Sequence, residues 1–375
     1  MPLEGVTVLD FGQFLSAPSA TLRLSDLGAR VIKVERPGTG DICRTLYISN
    51  CDIDGDSSLF HAINRDKQSI AIDLKDPAAR PILERLIAKA DVMVTNFRPG
   101  VAEHLGIDYD SACAINPRIV YGEITGYGKV GPWSGRPGQD LLVQSLSGAC
   151  WLNGNADQPP TPMGLSVADL FAGQHLVQGI LAGLVRVRRE SVGAHVCVSL
   201  LESLLDAQFE VFTTYLNDGR KPPQRSSINN ASAYIDAPYG IYATADGYLA
   251  LAMIPIPKLG ELLNCKELLA FDDPATWHEH RDEIKVIVAD WLKRETTHHW
   301  LRILDAADVW CSDVYTWDKL FATDAFKSLD MLQVVKRPNG TSVATTRCPI
   351  VIDNERPRGK VAAPIVGQDN KAFVG

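Results

Sequence analysis

The chain has 375 residues, more than one compact core usually contains, so two domains are expected. Hydrophobic residues make up 46% of the sequence and charged residues 22%, which is typical of a globular protein. The formal net charge of -8, without a long run of either sign, argues against a nucleic-acid-binding protein, because phosphate binding requires clustered Lys and Arg.

The eight cysteines are scattered and include no C-x-x-C pair, which argues against a zinc ribbon and a thioredoxin-type redox centre. Scattered single cysteines are typical of small buried residues in a reducing compartment. The first residues lack the basic and then apolar pattern of a signal peptide, and no stretch approaches the ~20 uninterrupted apolar residues of a membrane span. The sequence therefore predicts a soluble, cytoplasmic protein that contacts neither membrane nor nucleic acid.

Strand-like and helix-like segments alternate through the first half of the chain. Residues 6–11 and 30–34 are compact apolar runs typical of strands. Residues 19–27 between them have helical spacing and end at Gly28, a preferred residue after a helix. This β-α-β unit predicts a parallel sheet. Further strands are predicted at residues 69–73, 91–95, 118–121 and 195–199, and further helices after Asp76-Pro77 and at residues 169–189 and 200–216.

Composition changes near residues 217–223, a polar and proline-rich stretch that is typical of a linker. Beyond it, residues 239–252 are predicted as a hairpin, and residues 282–293 and 297–307 as helices. The predicted fold is α/β, with a Rossmann-like parallel sheet in the large domain. That domain comprises residues 1–216, completed by about 335–375, followed in the chain by a linker (217–235) and a smaller α+β domain (236–334).

The first β-α-β unit is also compatible with a dinucleotide-binding domain, and Glu35 lies where a ribose-binding acid would be expected. The loop after the first strand argues against that function. It contains one glycine and the bulky pair Phe14-Leu15, where the backbone would have to approach a pyrophosphate. Gly38 and Gly40 follow the second strand instead, so an NAD-dependent enzyme is not expected.

Several motifs follow one another in a specific order. They include VLDFGQFLSAP at residues 8–18 and LGARVIKVERPGTGD at 27–41, then residues 64–75, 91–100, 126–132, 138–148, 160–161 and 168–173. In this order they resemble the class III CoA-transferases, a family that includes formyl-CoA transferase and is related to the α-methylacyl-CoA racemases. The resemblance implies a large and a small domain, an interlocked homodimer, and transfer of coenzyme A from an acyl-CoA to a small carboxylic acid without a metal cofactor.

The resemblance places Asp169 at the position of the catalytic aspartate. Its carboxylate would attack the donor thioester to form a mixed anhydride, and an aspartyl-CoA thioester would follow. Asp140 lies where formyl-CoA transferase has a glutamate that assists turnover. Either aspartate could instead only cap a helix.

Gln139 lies where the related racemases have a histidine. Glutamine exchanges no proton near neutral pH, so this residue argues against racemisation. The alternatives to a transferase are an acyl-CoA racemase or isomerase and a non-catalytic acyl-CoA-binding paralogue.

Coenzyme A carries phosphates and an adenine, which basic side chains and backbone N–H groups can bind. The segments that resemble the family predict a CoA site made of Gln13, Leu15, Arg36, Pro37, Arg44, Lys75, Asn96, Phe97 and Arg98. Each basic residue could equally be a solvated surface charge. Leu15 replaces a polar residue of formyl-CoA transferase, which argues against a formyl or oxalyl specificity.

Residues 253–258 contain two prolines and no glycine, where formyl-CoA transferase has a flexible glycine loop, so a stiff apolar segment is predicted. A metal site is not predicted. His298 and His299 are adjacent and would point about 100° apart on a helix, and His278 and His280 lack carboxylate or cysteine partners at ligand spacing.

Overall fold

The computed structural model describes residues 1–373, which form two compact units. The first unit contains Met1–Val143, Ser166–Ala207 and the chain from Leu329 onward, and the second contains Gln144–Leu165 and Gln208–Ser328. These boundaries differ from the predicted ones. The second unit includes the predicted linker and the additional segment 144–165, and the chain returns to the first unit at Leu329.

The strands of the described residues were numbered in chain order. They are β1 (Thr7–Asp10), β2 (Arg30–Glu35), β3 (Asp52–Ile53), β4 (Asp56–Ser57), β5 (Gln68–Ala71), β6 (Val92–Thr95), β7 (Val120–Thr125), β8 (Ala194–Ser199), β9 (Gly240–Ala243), β10 (Tyr248–Leu251), β11 (Cys311–Asp313), β12 (Leu332–Lys336) and β13 (Ser342–Thr346).

The α-helices were numbered in the same way. They are α1 (Ser16–Asp26), α2 (Ser58–Asn64), α3 (Arg80–Lys89), α4 (Val101–His104), α5 (Tyr109–Ile115), α6 (Asp140–Leu146), α7 (Val167–Glu190), α8 (Leu200–Asp206), α9 (Phe209–Asn217), α10 (Ile256–Leu263), α11 (Arg281–Leu292), α12 (Thr297–Ala306), α13 (Trp317–Ala322), α14 (Asp324–Leu329) and α15 (Asn370–Phe373).

A parallel sheet with the order β5-β2-β1-β6-β7-β8 forms the centre of the first unit. Strands β1, β6 and β7 are almost entirely buried, as expected for a parallel sheet with both faces covered. Gly28 has φ +105° and its N–H bonds to the Ser25 carbonyl, so it ends α1 as its position in the sequence predicts. The sheet confirms the predicted α/β fold.

Helix α7 packs closely on β7 and β8. A Cβ atom at Gly179 would lie 2.3 Å from Val196, and one at Gly122 would lie 2.9 Å from Leu176, so glycines on both elements permit this approach. Among the described residues, α7 alone is long and apolar enough to cross a membrane by length and composition. Its contacts are those of a helix that covers an α/β sheet.

One prediction for a single element was wrong. Residues 200–216 form two helices, α8 and α9, because the backbone leaves helical geometry at Gln208, which has φ -96° and ψ 13°, where apolar periodicity gives no signal. Residues 253–258 were predicted to be stiff and apolar, and α10 begins within them at Ile256. Pro257 lies in its first turn, where proline costs no helical hydrogen bond.

The second unit has its own core around the antiparallel sheet β11-β10-β9. Buried residues on this sheet and on helices α11 and α12 form that core, among them Tyr242, Leu249, Ile284, Val288 and Trp300. The β9–β10 hairpin confirms the prediction for residues 239–252.

Candidate active site

From β1 the chain adds β2 and β5 on one side of the sheet, and it then adds β6, β7 and β8 on the other side. The loops that follow the neighbouring strands β1 and β6 therefore lie side by side. In open parallel sheets, ligands bind at such a point beyond the carboxyl ends of the strands. Two hydrogen bonds join the loops here. The Gln13 N–H donates to Asn96 Oδ1 at 2.8 Å, and Asn96 Nδ2 donates to the Gln13 carbonyl at 2.7 Å. Two residues predicted for the CoA site are therefore in direct contact.

A cavity of about 470 Å³ opens at the carboxyl ends of β2, β5 and β6. Gln13, Arg36, Lys75 and Phe97, all predicted for the CoA site, line it. Phe97 packs against the core of the first unit, whereas Arg36 and Lys75 are exposed. The cavity thus combines an apolar wall with a rim that carries two cations and the exposed carboxylate of Asp73. The two cations and the apolar wall suit a ligand that carries both phosphates and an aromatic base.

The predicted nucleophile, Asp169, lies in the first turn of α7 and is half-buried. Its helix packs tightly on α1, because a Cβ atom at Gly173 would come within 2.5 Å of Ser19 Oγ. Asp169 hydrogen-bonds with the side chain of Ser16, the first residue of α1. Asp140 Oδ1 accepts a hydrogen bond of 2.8 Å from the Ala168 N–H. Both predicted catalytic aspartates therefore lie at the start of α7.

The pKa of Asp169 is raised to about 6. Burial is the main cause, and the negative charge of Asp140 adds to it, while the hydrogen bond with Ser16 acts in the opposite direction. A carboxylate with a raised pKa is more basic and less well solvated than an exposed one. Both properties favour nucleophilic attack at neutral pH, where the group is still ionised.

Hydrogen bonds connect Asp169 to the cavity. Asp169 contacts Ser16, and Asn96 Nδ2 lies 3.4 Å from Ser16 Oγ. Asn96 in turn holds the backbone of Gln13, which lines the cavity. The predicted nucleophile and the predicted residues Gln13 and Asn96 thus belong to one continuous site, although they come from distant segments of the chain.

Arg44 was predicted to bind CoA, but its side chain pairs with carboxylates inside the protein. It is buried, its Nε and Nη2 donate to the two carboxylate oxygens of Glu35 at 2.8 and 2.7 Å, and its Nη1 lies 3.0 Å from Asp56. Its guanidinium also stacks on Phe60. A side chain with these internal partners has no free face for a phosphate, so Arg44 stabilises the fold.

Leu15 also packs internally, against the buried cluster of Cys43 and Phe60, at the N-terminus of α1. Pro37 and Arg98 are exposed beside cavity residues, next to Arg36 and Phe97 respectively. Gln139 is exposed, and its Oε1 accepts a hydrogen bond from the Leu141 N–H, so it marks the start of α6.

Three residues that support the first loop were missed by the sequence analysis. Lys33 Nζ donates to the Gly12 carbonyl at 2.7 Å and forms a buried ion pair with Asp41 at 2.8 Å. Asp41 accepts from the N–H of Phe14, whose φ of 60° is left-handed. Lys33 and Asp41 lie inside matching segments, but only their contacts show that they hold this loop. Ser16 was missed for the same reason.

Comparison with known proteins identifies the family of this chain. The model of CoA-transferase family III matches residues 3–370. The succinate–glutarate CoA-transferase of Agrobacterium fabrum is 31% identical over 98% of this chain and 93% of its own length. The acetyl-CoA:oxalate CoA-transferase of Acetobacter aceti is 33% identical over 82% of this chain and 79% of its own.

Solved structures show the same relationship. A CAIB/BAIF family protein from Brucella suis has a TM-score of 0.85 and 30% identity, and the alignment covers 100% of this chain and 98% of that one. A hypothetical protein from Mycobacterium tuberculosis has a TM-score of 0.84 and 28% identity, with 99% of each chain covered. The chain is therefore a CoA-transferase and belongs to CoA-transferase family III.

Proposed function

We propose that this transferase moves CoA between two carboxylic acids with Asp169 as its covalent nucleophile. The main support for this proposal is a continuous path of contacts. It runs from Asp169 through Ser16, Asn96 and Gln13 to the cavity that Arg36 and Lys75 line. This path gives an extended acyl-CoA one place for its nucleotide and another for its thioester.

In the proposed reaction, an Asp169 oxygen attacks the thioester carbonyl of the donor, the C–S bond breaks, and the CoA thiolate leaves a mixed anhydride behind. The thiolate then attacks the Asp169 carbonyl carbon, which releases the donor acid and forms an aspartyl-CoA thioester. The acceptor carboxylate attacks this thioester, its C–S bond breaks, and the CoA thiolate leaves a second anhydride behind. The thiolate finally attacks the acceptor acyl carbon, which gives the new acyl-CoA and regenerates the carboxylate. The scheme requires no metal.

The start of α1 is the proposed source of oxyanion stabilisation. The N–H groups of a first helical turn have no acceptor within their helix, and α1 begins at Ser16, which contacts Asp169. The start of α7 is less suitable, because Asp140 already accepts from the Ala168 N–H. We assign Asp140 to positioning α7 and to raising the pKa of Asp169.

The nucleotide part of CoA is proposed to bind in the cavity, with its phosphates near Arg36 and Lys75 and its adenine against Phe97. The named activities of the relatives guide the choice of acids. The relative from Agrobacterium fabrum is named for succinate and glutarate, and the relative from Acetobacter aceti is named for acetyl-CoA and oxalate. We therefore propose a dicarboxylic acid as one of the two substrates.

The test is transfer from succinyl-CoA or acetyl-CoA to a panel of acids that includes glutarate and oxalate, followed by mass spectrometry of the products. Asp169→Ala is expected to lower transfer by at least about 10³-fold, because the nucleophile is lost. Hydroxylamine added during turnover should convert Asp169 into a hydroxamate in the wild-type protein. Asp110→Ala is the matched control, since Asp110 is an exposed aspartate in the first turn of α5.

Retained transfer in Asp169→Ala, or an unmodified Asp169 after trapping, would show that another group is the nucleophile. Exchange of an α-hydrogen without a new acyl-CoA would instead indicate a racemase. Binding of acyl-CoA without either reaction would indicate a non-catalytic paralogue.

We also propose that the protein is a homodimer and acts in the cytoplasm. Two large apolar residues beside the nucleophile, Leu170 and Phe171, are each 41% exposed on α7, and a second copy of the chain would cover them. All eight cysteines are free thiols, which supports a reducing compartment. Light scattering should give twice the chain mass of 41.0 kDa, and a monomer mass would contradict the dimer.

A further inference from the structure

Three side chains at the edge of the parallel sheet converge on one point. His195 Nε2 lies 3.1 Å and Cys197 Sγ 3.0 Å from Glu123 Oε1, and the three atoms lie within 4.8 Å of one another. Lys129 Nζ also contacts this oxygen, at 2.7 Å. One carboxylate oxygen thus receives three polar partners, more than its two lone pairs accommodate well.

We propose that Glu123, His195 and Cys197 form a binding site for a divalent cation of the zinc class. One nitrogen, one sulfur and one oxygen ligand form a set that zinc accepts in tetrahedral geometry, with a fourth position for water. Tetrahedral bonds of about 2.0–2.3 Å place ligand atoms roughly 3.3–3.7 Å apart. The two distances to Glu123 Oε1 need to expand by only a few tenths of an ångström, and His195 Nε2 and Cys197 Sγ start within 4.8 Å of each other.

The backbone places the three ligands together. His195 and Cys197 are two positions apart on β8, so their side chains project from the same face of the sheet. Glu123 on β7 is the direct register partner of Cys197. No local motif marks this set in the sequence, because Glu123 lies 72 and 74 positions from the other two ligands.

The imidazole is also fixed in place before any ion binds. The His195 ring stacks on Tyr109 with the ring centroids 4.4 Å apart and 12° between the planes, and it meets the edge of Tyr121 at 5.6 Å. A ligand whose rotamer is set by packing loses little conformational entropy when it binds a metal. His195 and Cys197 are exposed, so an ion can reach them from solvent.

A redox role for the thiol fits the geometry less well. Burial, together with the Glu123 carboxylate, raises the pKa of the Cys197 thiol to about 12, so the reactive thiolate is suppressed when no cation is present. A bound cation would take the place of the thiol proton, which leaves to solvent. Lys129 would move away from Glu123, and its partly exposed side chain can do so.

This site is separate from the proposed active site. Val196, between the two β8 ligands, faces α7, because it is the residue that a Cβ at Gly179 would meet. The three ligands therefore lie on the opposite face of the sheet from the helix that carries Asp169. Loss of the metal site should leave CoA transfer intact, so the two proposals fail independently.

The experiment is titration of the full-length, metal-free protein with Co²⁺, followed by competition with Zn²⁺. The wild type should show a near-ultraviolet thiolate-to-cobalt charge-transfer band at one equivalent, and Zn²⁺ should abolish it. Cys197→Ser should lose the band, and His195→Gln should weaken Co²⁺ binding by at least about tenfold. Lys129→Ala should tighten binding, because it removes a competitor for Glu123. Cys51→Ser, which changes another exposed cysteine, should match the wild type.

Circular dichroism and CoA-transfer assays establish that each variant is folded. Absence of the band in the wild type would overturn the proposal and leave a hydrogen-bonded cluster only. So would a band that persists in folded Cys197→Ser, or one that disappears in Cys51→Ser. Weaker Co²⁺ binding in Lys129→Ala would also contradict the proposal that Lys129 competes with the cation for Glu123.

Discussion

Two groups of charged residues lie on either side of the end of β2, and they have opposite environments. Arg36 and Lys75 are exposed at the rim of the cavity, whereas Glu35 and Arg44 are buried in an ion-paired cluster with Asp56. Glu35 and Arg36 are consecutive residues. The difference shows that burial and partners, rather than residue type or position in a motif, decide whether a charge stabilises the fold or can bind a ligand.

The physical reason is the cost of desolvation. A charge placed inside a protein must be paired and hydrogen-bonded, because removal of one partner leaves an uncompensated ion. Glu35 meets this condition with Arg44, Ser69 and the Asp41 N–H. At the rim, water solvates Arg36 and Lys75, so each remains available for a phosphate.

The largest expected effect is in the buried cluster. Arg44→Ala should lower the free energy of unfolding by about 3–5 kcal/mol, because buried Glu35 would lose its two-point cation partner and Asp56 would keep only Arg337. Chemical denaturation measures this change. Arg36→Ala, the exposed counterpart, should change stability by less than about 0.5 kcal/mol. Equal losses of stability in Arg44→Ala and Arg36→Ala would show that burial does not separate the roles of the two residues.

The second effect concerns Asp169, a half-buried charge for which residues 1–373 provide no ion-pair partner. Its pKa of about 6, against an ordinary 3.8, means that the folded state keeps a proton that the unfolded state releases as pH rises through this interval. Stability therefore falls between pH 3.8 and about 6. Asp169→Asn should be more stable than the wild type by about 1–3 kcal/mol at pH 7.

The pH series provides the control for this prediction. The advantage of Asp169→Asn should be much smaller at pH 4, where the wild-type side chain is protonated in the folded state and partly protonated in the unfolded state. Denaturation midpoints of the two proteins at pH 4, 5, 6 and 7 measure the difference. An advantage that does not vary with pH would show that the charge of Asp169 is not its cause.

The smallest effect is expected at the rim. Lys75→Ala should raise the KM for acyl-CoA about fivefold, equivalent to about 1 kcal/mol, with little change in kcat, because the contact is the same in the ground and transition states. Arg118→Ala is the matched control, since Arg118 is an exposed cation at the amino end of β7. An unchanged KM in Lys75→Ala would remove this residue from the CoA site.

Several single elements could be predicted because their signals are local. Gly28 ends α1 with positive φ, and Asp76 accepts from the Ala78 N–H ahead of Pro77, as the sequence indicates. The break between α8 and α9 at Ala207 and Gln208 could not be predicted, since alanine and glutamine both favour a helix. Arg44 was assigned to CoA because a motif gives the position of a residue and says nothing of its burial.

The sequence alone determined the alternation of strands and helices, the parallel sheet and the identity of Asp169 as the candidate nucleophile, since periodicity and ordered motifs are properties of neighbouring residues. The tertiary structure decided which charges are buried, that Ser16 and Asn96 connect Asp169 to the cavity, and that Glu123 meets His195 and Cys197. These contacts join residues that are tens of positions apart. Their energies depend on distance and solvent exposure, which only the folded chain defines.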